Sequence, residues 1–341
     1  MKKVLVTGAS GYIAKHIILQ LLQNGYQVRG SLRTMQRAKE VRDAVAPHLP
    51  DTVHLDEALS FVPLDLMSDQ GWDAALHGMD VLLHTASPFP MGTPAHEDDL
   101  IRPAVDGTLR ALRAAQTNRV TRVILTSSTA AVIYGDQLQM REPIDEAHWT
   151  DVQHPTCNSY SKSKTLAEKA AWAFVEEQFP ECRLTTINPG FVLGPPLDLN
   201  YGTSMQVMVR LLSAKDPALP KVGFSCVDVR DVAHIHVAAI DLENTFGLRL
   251  LAVSGFLWFD GLARSIKSAF PERKIITRVA PDWLIKLLGL FDRQIRQIVP
   301  MLGVRFDVSN KRAKSLLSVE FKNPGQSAID SAKYLIDHKV V

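Results

Sequence analysis

Apolar residues at the start of the chain follow two different spacings. A continuous apolar run at residues 4–6 leads into a glycine-containing turn. The apolar positions after that turn recur at helical spacing: Ile13, Ile17, Ile18, Leu21 and Leu22. The helical pattern stops at Asn24-Gly25, and a second apolar-leaning run follows at residues 26–32. A strand, a glycine turn, a helix and a strand in this order predict the opening unit of a dinucleotide-binding sheet.

The alternation of apolar runs and helical stretches continues to about residue 190. Strands are predicted at residues 61–64, 81–83, 123–125 and 184–187, and helices at residues 100–116, 159–179 and 228–242. This order predicts an α/β fold: a Rossmann-type, doubly wound parallel sheet with helices on both faces. Such sheets bind ligands beyond the carboxyl ends of their strands, so residues that carry chemistry are expected just after strands.

The pattern changes after residue 190, where loop-like stretches become frequent. We predict a dinucleotide-binding domain over residues 1–190 and 226–254, and a smaller, partly interleaved substrate domain over residues 191–225 and 255–341. Residues 281–302 form a long amphipathic stretch that is compatible with a membrane surface or with a packed helix. Its basic residues after Asp292, Arg293 and Arg296, do not form a cationic face, which favours the packed helix.

Composition narrows the possible functions. The chain has 341 residues, enough for two unequal domains, and is 46% hydrophobic and 22% charged, as expected of a soluble globular protein. No window approaches the ~18 apolar residues of a membrane span, and no signal peptide is predicted. A net charge of +2 is too small to indicate nucleic acid as a partner. Three widely spaced cysteines argue for a reducing compartment, so the cytoplasm is predicted, and against disulfides or zinc.

The turn at residues 7–14 predicts a pyrophosphate site. Gly8 lets the chain turn tightly off the strand, and Gly11 lets the backbone approach a pyrophosphate without a clashing side chain. The helix that follows offers main-chain N–H groups and the positive end of its dipole to the phosphates.

Tyr160 and Lys164 are the first candidates for catalysis. On a helix, their spacing of four places both side chains on one face, within ~6 Å. An ammonium beside a phenol favours the phenolate and lowers the phenol's pKa, which yields a proton donor or acceptor usable at neutral pH. A Tyr–Lys pair on a solvated helix surface is the alternative interpretation.

Serines end a predicted strand about thirty residues before this pair, in the sequence Thr126-Ser127-Ser128. A dinucleotide turn, a strand-end serine and Tyr-x-x-x-Lys on the next helix resemble the extended branch of the short-chain dehydrogenase/reductase family. Residues 83–87, 188–195 and 227–233 also resemble motifs of that branch. The sequence of residues 160–172 is similar to the corresponding segment of dihydroflavonol reductases, cinnamoyl-CoA reductases and methylglyoxal-type carbonyl reductases. The resemblance covers about residues 1–260.

The resemblance implies a role for each candidate. Tyr160 would protonate a carbonyl oxygen while a nicotinamide delivers hydride to the carbonyl carbon. Lys164 would lower the pKa of Tyr160 and hydrogen-bond the nicotinamide ribose. Ser128 would hold the carbonyl oxygen as a one-donor oxyanion hole, with Ser127 as the alternative. Asp106 stands where many family members carry an amide, and it is assigned no role.

The expected cofactor is NADP(H). The second strand is followed by Arg33 and Arg37, with no acid until Glu40, and these arginines suit a 2′-phosphate unless they are merely solvated charges. Asp65 is a candidate for the adenine amino group or for a helix N-cap. Ala14 stands where the usual dinucleotide-binding fingerprint has its third glycine, and cofactor binding is expected to tolerate this difference. The full expected cofactor set is Thr7, Gly8, Ser10, Gly11, Tyr12, Ile13, Arg33, Arg37, Asp65, Leu66, Thr85, Ala86, Ser87, Thr126, Tyr160, Lys164, Pro189, Gly190 and Val192.

The expected substrate pocket is largely apolar, which favours a small apolar or aromatic carbonyl compound. Its predicted residues, some of which would otherwise be plain core, are Pro88, Phe89, Ser128, Tyr134, Phe191 and Met205. His234 and His236 are two apart on a predicted helix and cannot chelate one metal, so no metal site is expected. We predict reversible, NADPH-dependent reduction of an aldehyde or ketone by a monomer or homodimer. The alternatives are a hydroxysteroid dehydrogenase or nucleotide-sugar epimerase of the same fold, or a non-catalytic NADP-sensing protein.

Overall fold

The main sheet is parallel throughout. This computed structural model describes residues 1–87 and 96–341. Seven strands form the main sheet: β1 Lys3–Thr7, β2 Gln27–Leu32, β3 Leu59–Pro63, β4 Val81–His84, β5 Arg122–Thr126, β6 Arg183–Pro189 and β9 Leu248–Ala252. Their spatial order is β3-β2-β1-β4-β5-β6-β9. The order reverses between β1 and β4, which is where doubly wound sheets bind ligands. The predicted α/β fold is confirmed.

Helices cover both faces of this sheet. Their bounds are α1 Tyr12–Gln23, α2 Ala38–Val45, α3 Leu55–Ala58, α4 Trp72–Leu76, α5 Asp98–Thr117, α6 Ser159–Gln178, α7 Thr203–Leu212, α8 Val229–Ala239, α9 Phe259–Ala269, α10 Asp282–Leu288, α11 Arg293–Ile298, α12 Lys311–Leu317 and α13 Pro324–Asp337. Side chains alternate across each strand, so Val4 and Val6 of β1 enter the core under α1 and α8, whereas Leu5 enters the core under α5 and α6. This double burial explains why the strands are continuous apolar runs.

A second, three-stranded sheet adjoins the carboxyl end of β6. It consists of β7 Phe191–Leu193, β8 Gly223–Asp228 and β10 Gly255–Trp258, with β8 parallel to β7 and antiparallel to β10. Gly190 separates β6 from β7, and a Cβ added there would lie 2.0 Å from the carbonyl oxygen of Ser225. The two sheets therefore meet at a position that only glycine can occupy. The proposed division into two domains stays a prediction.

The prediction of a packed helix over residues 281–302 is wrong. The segment breaks into α10, α11 and a 3-10 turn, Val299–Met301. Asp292 causes the break, because its carboxylate accepts hydrogen bonds from the N–H groups of Gln294 and Ile295 and so starts a new helix. Trp283 and Phe291 are 66% and 85% exposed, so much of the apolar side faces solvent.

Among the described residues, no helix is both long and apolar enough to span a membrane.

Candidate active site

The glycine turn between β1 and α1 has the geometry that a pyrophosphate requires. Gly8 has a φ of +67°, and a Cβ there would lie 3.0 Å from the Cα of Ala86. The N–H of Lys15 bonds the carbonyl of Gly11, so the N–H groups of residues 12–14 precede the helical ladder. These N–H groups and the helix dipole form an anion site at the end of β1.

Thr7 joins the ends of β1 and β4 beside this turn. Its hydroxyl oxygen accepts hydrogen bonds from the N–H groups of Thr85 and Ala86, at 3.1 and 3.0 Å, and lies 3.0 Å from Nδ1 of His84. Burial, with a smaller contribution from the Lys164 ammonium, lowers the pKa of His84 to about 3. Thr7 therefore holds residues 84–86, at the end of β4, beside the glycine turn.

The residues predicted at the adenosine end lie after β2. Arg33 is exposed, whereas Arg37 forms a bidentate pair with Glu40, at 2.9 Å for both hydrogen bonds. Glu40 also bonds the buried Lys15 at 3.0 Å. Although burial opposes it, these two cations hold the pKa of Glu40 at about 2. The sequence did not indicate that Glu40 pairs with Arg37, which is a proposed ligand of the 2′-phosphate.

Asp65 follows β3, and one of its two proposed roles is wrong. Its carboxylate accepts a hydrogen bond from the N–H of Met67 at 2.8 Å, and the next helix, α4, has Gly71 as its N-cap. The carboxylate therefore folds its own loop and caps no helix, while its proposed contact with adenine stays a prediction. Leu66 packs against Gly107 of α5.

The segment after Gly190 lies against the glycine turn. The Tyr12 hydroxyl donates to the carbonyl of Gly194, and the side-chain amide of Asn200 donates to the carbonyl of Ser10, both at 2.7 Å. Because the phenol of Tyr12 is engaged, this residue has its main-chain N–H left to offer a phosphate. Ile13 and Ser87 are half-buried, and Val192 is buried. Pro189 ends β6.

Helix α6 places Tyr160 and Lys164 on one face. A capping box fixes where the helix starts: Asn158 accepts a hydrogen bond from the Ser161 N–H, and the Ser161 hydroxyl accepts one from the Asn158 N–H, both at 2.9 Å. The Lys164 ammonium lies 5.9 Å from the centre of the Tyr160 ring. The predicted spacing thus brings ammonium and phenol together.

The serines at the end of β5 have different partners. The Ser127 hydroxyl donates to the buried carboxylate of Glu168 at 2.5 Å. The Ser128 side chain is hydrogen-bonded to Tyr160 and accepts a hydrogen bond from the N–H of Ala130. This arrangement favours Ser128 as the residue beside a reacting carbonyl.

The pKa of Tyr160 differs from the expectation. Burial raises it above its usual value, and the hydrogen bond with Ser128 only partly offsets this. The expected lowering by Lys164 is therefore not observed, because desolvation disfavours the phenolate. Burial also lowers the pKa of Lys164 to about 8, against the opposing effect of Glu168. At neutral pH the site holds a neutral phenol beside an ammonium.

Aromatic side chains lie beside Tyr160 and after β6. Burial, with smaller contributions from Tyr160 and Cys157, raises the pKa of Tyr134 to about 12, so Tyr134 lies within electrostatic range of Tyr160. Phe191 stacks on Phe224 with ring centres 4.5 Å apart, and Phe259 meets Phe224 edge-on. The sequence did not indicate Phe224 and Phe259, because neither β8 nor α9 was predicted.

Other predicted residues lie elsewhere or outside the described chain. Met205 is fully buried among the core residues of α7 and α8, so in this conformation it packs in the core and not in a pocket. The Thr126 hydroxyl is hydrogen-bonded to Nε2 of His236 at 2.7 Å. Pro88 and Phe89 lie outside the described residues.

Comparison with known proteins places the chain in a family. The model of the NAD dependent epimerase/dehydratase family matches residues 4–247. The chain belongs to this family. Tetraketide alpha-pyrone reductase 1 of Arabidopsis thaliana is 34% identical over 282 residues, which cover 81% of this chain and 83% of that protein. Cinnamoyl-CoA reductase CAD2 of Medicago truncatula is 32% identical over 317 residues, which cover 92% and 89%.

A solved structure extends this comparison to the whole fold. The yeast methylglyoxal/isovaleraldehyde reductase Gre2, complexed with NADPH, has a TM-score of 0.82 to this epimerase/dehydratase family member at 27% identity. The match covers 99% of this chain and 100% of that one. The resemblance to extended short-chain dehydrogenases/reductases, and to the group of reductases named with it, is thereby confirmed.

The site of this epimerase/dehydratase family member fits a dinucleotide. At Gly8 an added Cβ would meet Ala86, and Ala86 and Ser87 line one small cavity together with Lys164, so the glycine turn lies near the catalytic candidates. The start of α1 offers its main-chain N–H groups to a pyrophosphate. Lys15 of α1 and Arg37 share the carboxylate of Glu40, so Arg37 lies near the same helix.

Proposed function

We propose that this NADP-dependent oxidoreductase reduces an aldehyde or ketone to the alcohol with NADPH, reversibly. The observation that carries the proposal is the contact between Ser128 and Tyr160, with the Lys164 ammonium on the same face of α6. The reductases among its relatives and the NADPH complex of Gre2 support the same reaction. The half-buried aromatic rings after β6 support a small apolar or aromatic substrate.

Three side chains act at or near the carbonyl oxygen of the substrate. NADPH, when bound, supplies the hydride. Tyr160 donates its phenolic proton to the carbonyl oxygen, and burial favours the protonated phenol that this step requires. Ser128 donates a hydrogen bond to the same oxygen and stabilises its developing negative charge. The Lys164 ammonium stabilises the phenolate that Tyr160 becomes.

Replacing Tyr160 by Phe tests the mechanism. The phenol is the proton donor, so we expect kcat to fall by ~10²–10⁴ with little change in NADPH affinity. NADPH absorbance is followed with methylglyoxal, a hydroxycinnamoyl thioester, a flavanonol and a β-keto ester as substrates. Tyr334→Phe, on α13, is the control and should keep full activity. Full activity of Tyr160→Phe on a substrate that the wild type reduces would refute the mechanism.

A further inference from the structure

A buried carboxylate lies one helical turn after Lys164. The side chain of Glu168 has no exposed surface and forms a salt bridge with Arg249 at 2.7 Å. It also accepts hydrogen bonds from Ser127, Thr186 and Asn188, at 2.5, 3.0 and 2.7 Å. Its partners come from the residue after β5, from β6 and from β9, so the carboxylate ties α6 to three neighbouring strands. Burying a charge costs free energy even when the charge is paired, so a carboxylate at this position needs an explanation beyond stability.

A cavity lies between this carboxylate and the catalytic lysine. Its volume is about 10 Å³, room for about one water, and both Lys164 and Glu168 line it. The other residues lining it include one small residue after β4 and four hydroxyl-bearing side chains: Ala86, Ser87, Thr108, Thr126 and Ser127. The cavity thus connects the proposed cofactor site with the buried network behind it.

The charges around Lys164 come from several elements. On α6 these are Tyr160, a phenol, and Glu168, whose Cβ is about 6 Å away by helical spacing. From β4, His84 is neutral because burial lowers its pKa to about 3. From β9, Arg249 approaches Glu168 itself.

Helix α5 adds Thr108 to the cavity and carries the half-buried Asp106 two residues earlier. Among the described residues that line the cavity, Glu168 is the carboxylate. The negative charge across the cavity from Lys164 therefore belongs to Glu168.

We propose that Glu168 is a positioning residue: across this cavity it keeps the Lys164 side chain directed toward Tyr160 and its ammonium charged. The inference rests on the function proposed above, since it assigns a partner to Lys164. A buried ammonium without a nearby counter-charge loses its proton readily. Arg249 then has a supporting role, because it fixes the carboxylate and contacts the loop before α6 through the carbonyls of Glu146 and His148.

The first test measures the Lys164 proton directly in the cofactor-free protein. Lysine side chains labelled with ¹⁵N are titrated by NMR, and Lys164→Met identifies the signal. We expect Glu168→Gln to lower the pKa of Lys164 by about one unit or more relative to the wild type, and Glu168→Asp to lower it less. Glu176→Gln, an exposed position on the same helix, is the control and should leave the titration unchanged.

The second readout is the pH profile of kcat. The ammonium is present below the pKa of Lys164, so reduction should decline as pH rises through that pKa. In Glu168→Gln this decline should move to lower pH by the same amount, about one unit, which leaves kcat reduced by ~10-fold at pH values above the wild-type pKa.

A paired variant separates the proposal from a purely structural role. Glu168→Gln leaves the Arg249 guanidinium unpaired, which threatens folding, whereas Glu168→Gln with Arg249→Gln removes both charges. If Glu168 serves only to neutralise Arg249, the double variant regains the wild-type pKa of Lys164 and the wild-type pH profile. Our proposal requires that both stay shifted, and a return to wild-type values overturns it. Because the NMR titration needs no turnover, it stands even if the proposed reaction fails.

Discussion

At the scale of single residues, adjacent positions in this protein take different roles because they face opposite sides of the sheet edge. Ser127 donates to the buried Glu168, whereas the neighbouring Ser128 contacts Tyr160. The family resemblance favoured Ser128 for the reaction, and the hydrogen bonds give a physical reason for that preference. In the same way, Arg37 and Arg33 look equivalent in the sequence, but Arg37 is paired with Glu40 and Arg33 is exposed.

Replacing Arg37 by Ala tests the proposed 2′-phosphate site. A charge-assisted contact to that phosphate is present with NADPH and absent with NADH, so Kd for NADPH should rise ~10- to 100-fold while Kd for NADH changes little. Both values can be measured by fluorescence titration. Lys39→Ala removes an exposed salt bridge with Asp43 on α2 and should leave both constants unchanged. An equal loss for the two cofactors would contradict the assignment.

At the scale of elements, the site depends on where helices and strands begin and end. The capping box at Asn158 sets the first turn of α6, and with it the positions of Tyr160, Lys164 and Glu168 on successive turns. The end of β6 is fixed by Gly190, whose N–H bonds the carbonyl of Ala252 at 3.0 Å. At this point the chain leaves the large sheet and enters the small one.

Gly190→Ala should destabilise the protein strongly. The new Cβ would lie 2.0 Å from the Ser225 carbonyl oxygen, and main-chain atoms of β8 cannot move aside without disturbing its sheet. We expect the free energy of unfolding to fall by about 3 kcal/mol, as measured by urea denaturation. Gly255→Ala is the matched control, since the nearest atom there is 3.6 Å away, and it should change stability much less. Equal stability of the two variants would show that the junction is looser than this packing implies.

At the scale of the whole molecule, three histidines are buried in a neutral state. Burial lowers the pKa of His16, His84 and His236 to about 4, 3 and 4. All three lie where α1 and α8 cover the sheet or where β4 ends. Protonating them requires opening the fold, so they couple stability to pH.

Whether the molecule works as a monomer or as a homodimer stays a prediction, as does its location in the cytoplasm.

Stability should therefore fall on acidification from pH 7 to pH 5. An unfolded histidine titrates near ~6.5, so above that pH all three are neutral in both states and their titration costs the fold nothing. Below it, unfolding takes up about three protons, and the free energy of unfolding falls by up to about 4 kcal/mol per pH unit. Urea denaturation at a series of pH values measures this slope. His234→Gln, at an exposed position, should not alter it, and a flat profile would argue against neutral burial.

Sequence patterns predicted this fold well wherever one element carries its own signal. The apolar runs predicted β1 to β6 of the parallel sheet, and the spacing of Tyr160 and Lys164 predicted a shared face. The same reasoning failed for residues 281–302, where helical periodicity persisted although Asp292 restarts the helix. It also missed Phe224 and Phe259, because a small sheet assembled from distant strands leaves only weak local signals.

The sequence alone determined the order of strands and helices, the glycine turn, the Tyr160–Lys164 pair and, through them, the family. These features depend on neighbours within one element or one turn, where the spacing of residues is itself the geometry. Only the tertiary structure decided that Ser127 and Arg249 meet Glu168, that Lys15 meets Glu40, and that residues 194–200 lie on the glycine turn. Such contacts join residues far apart in the chain, and packing of the whole core is what brings them together.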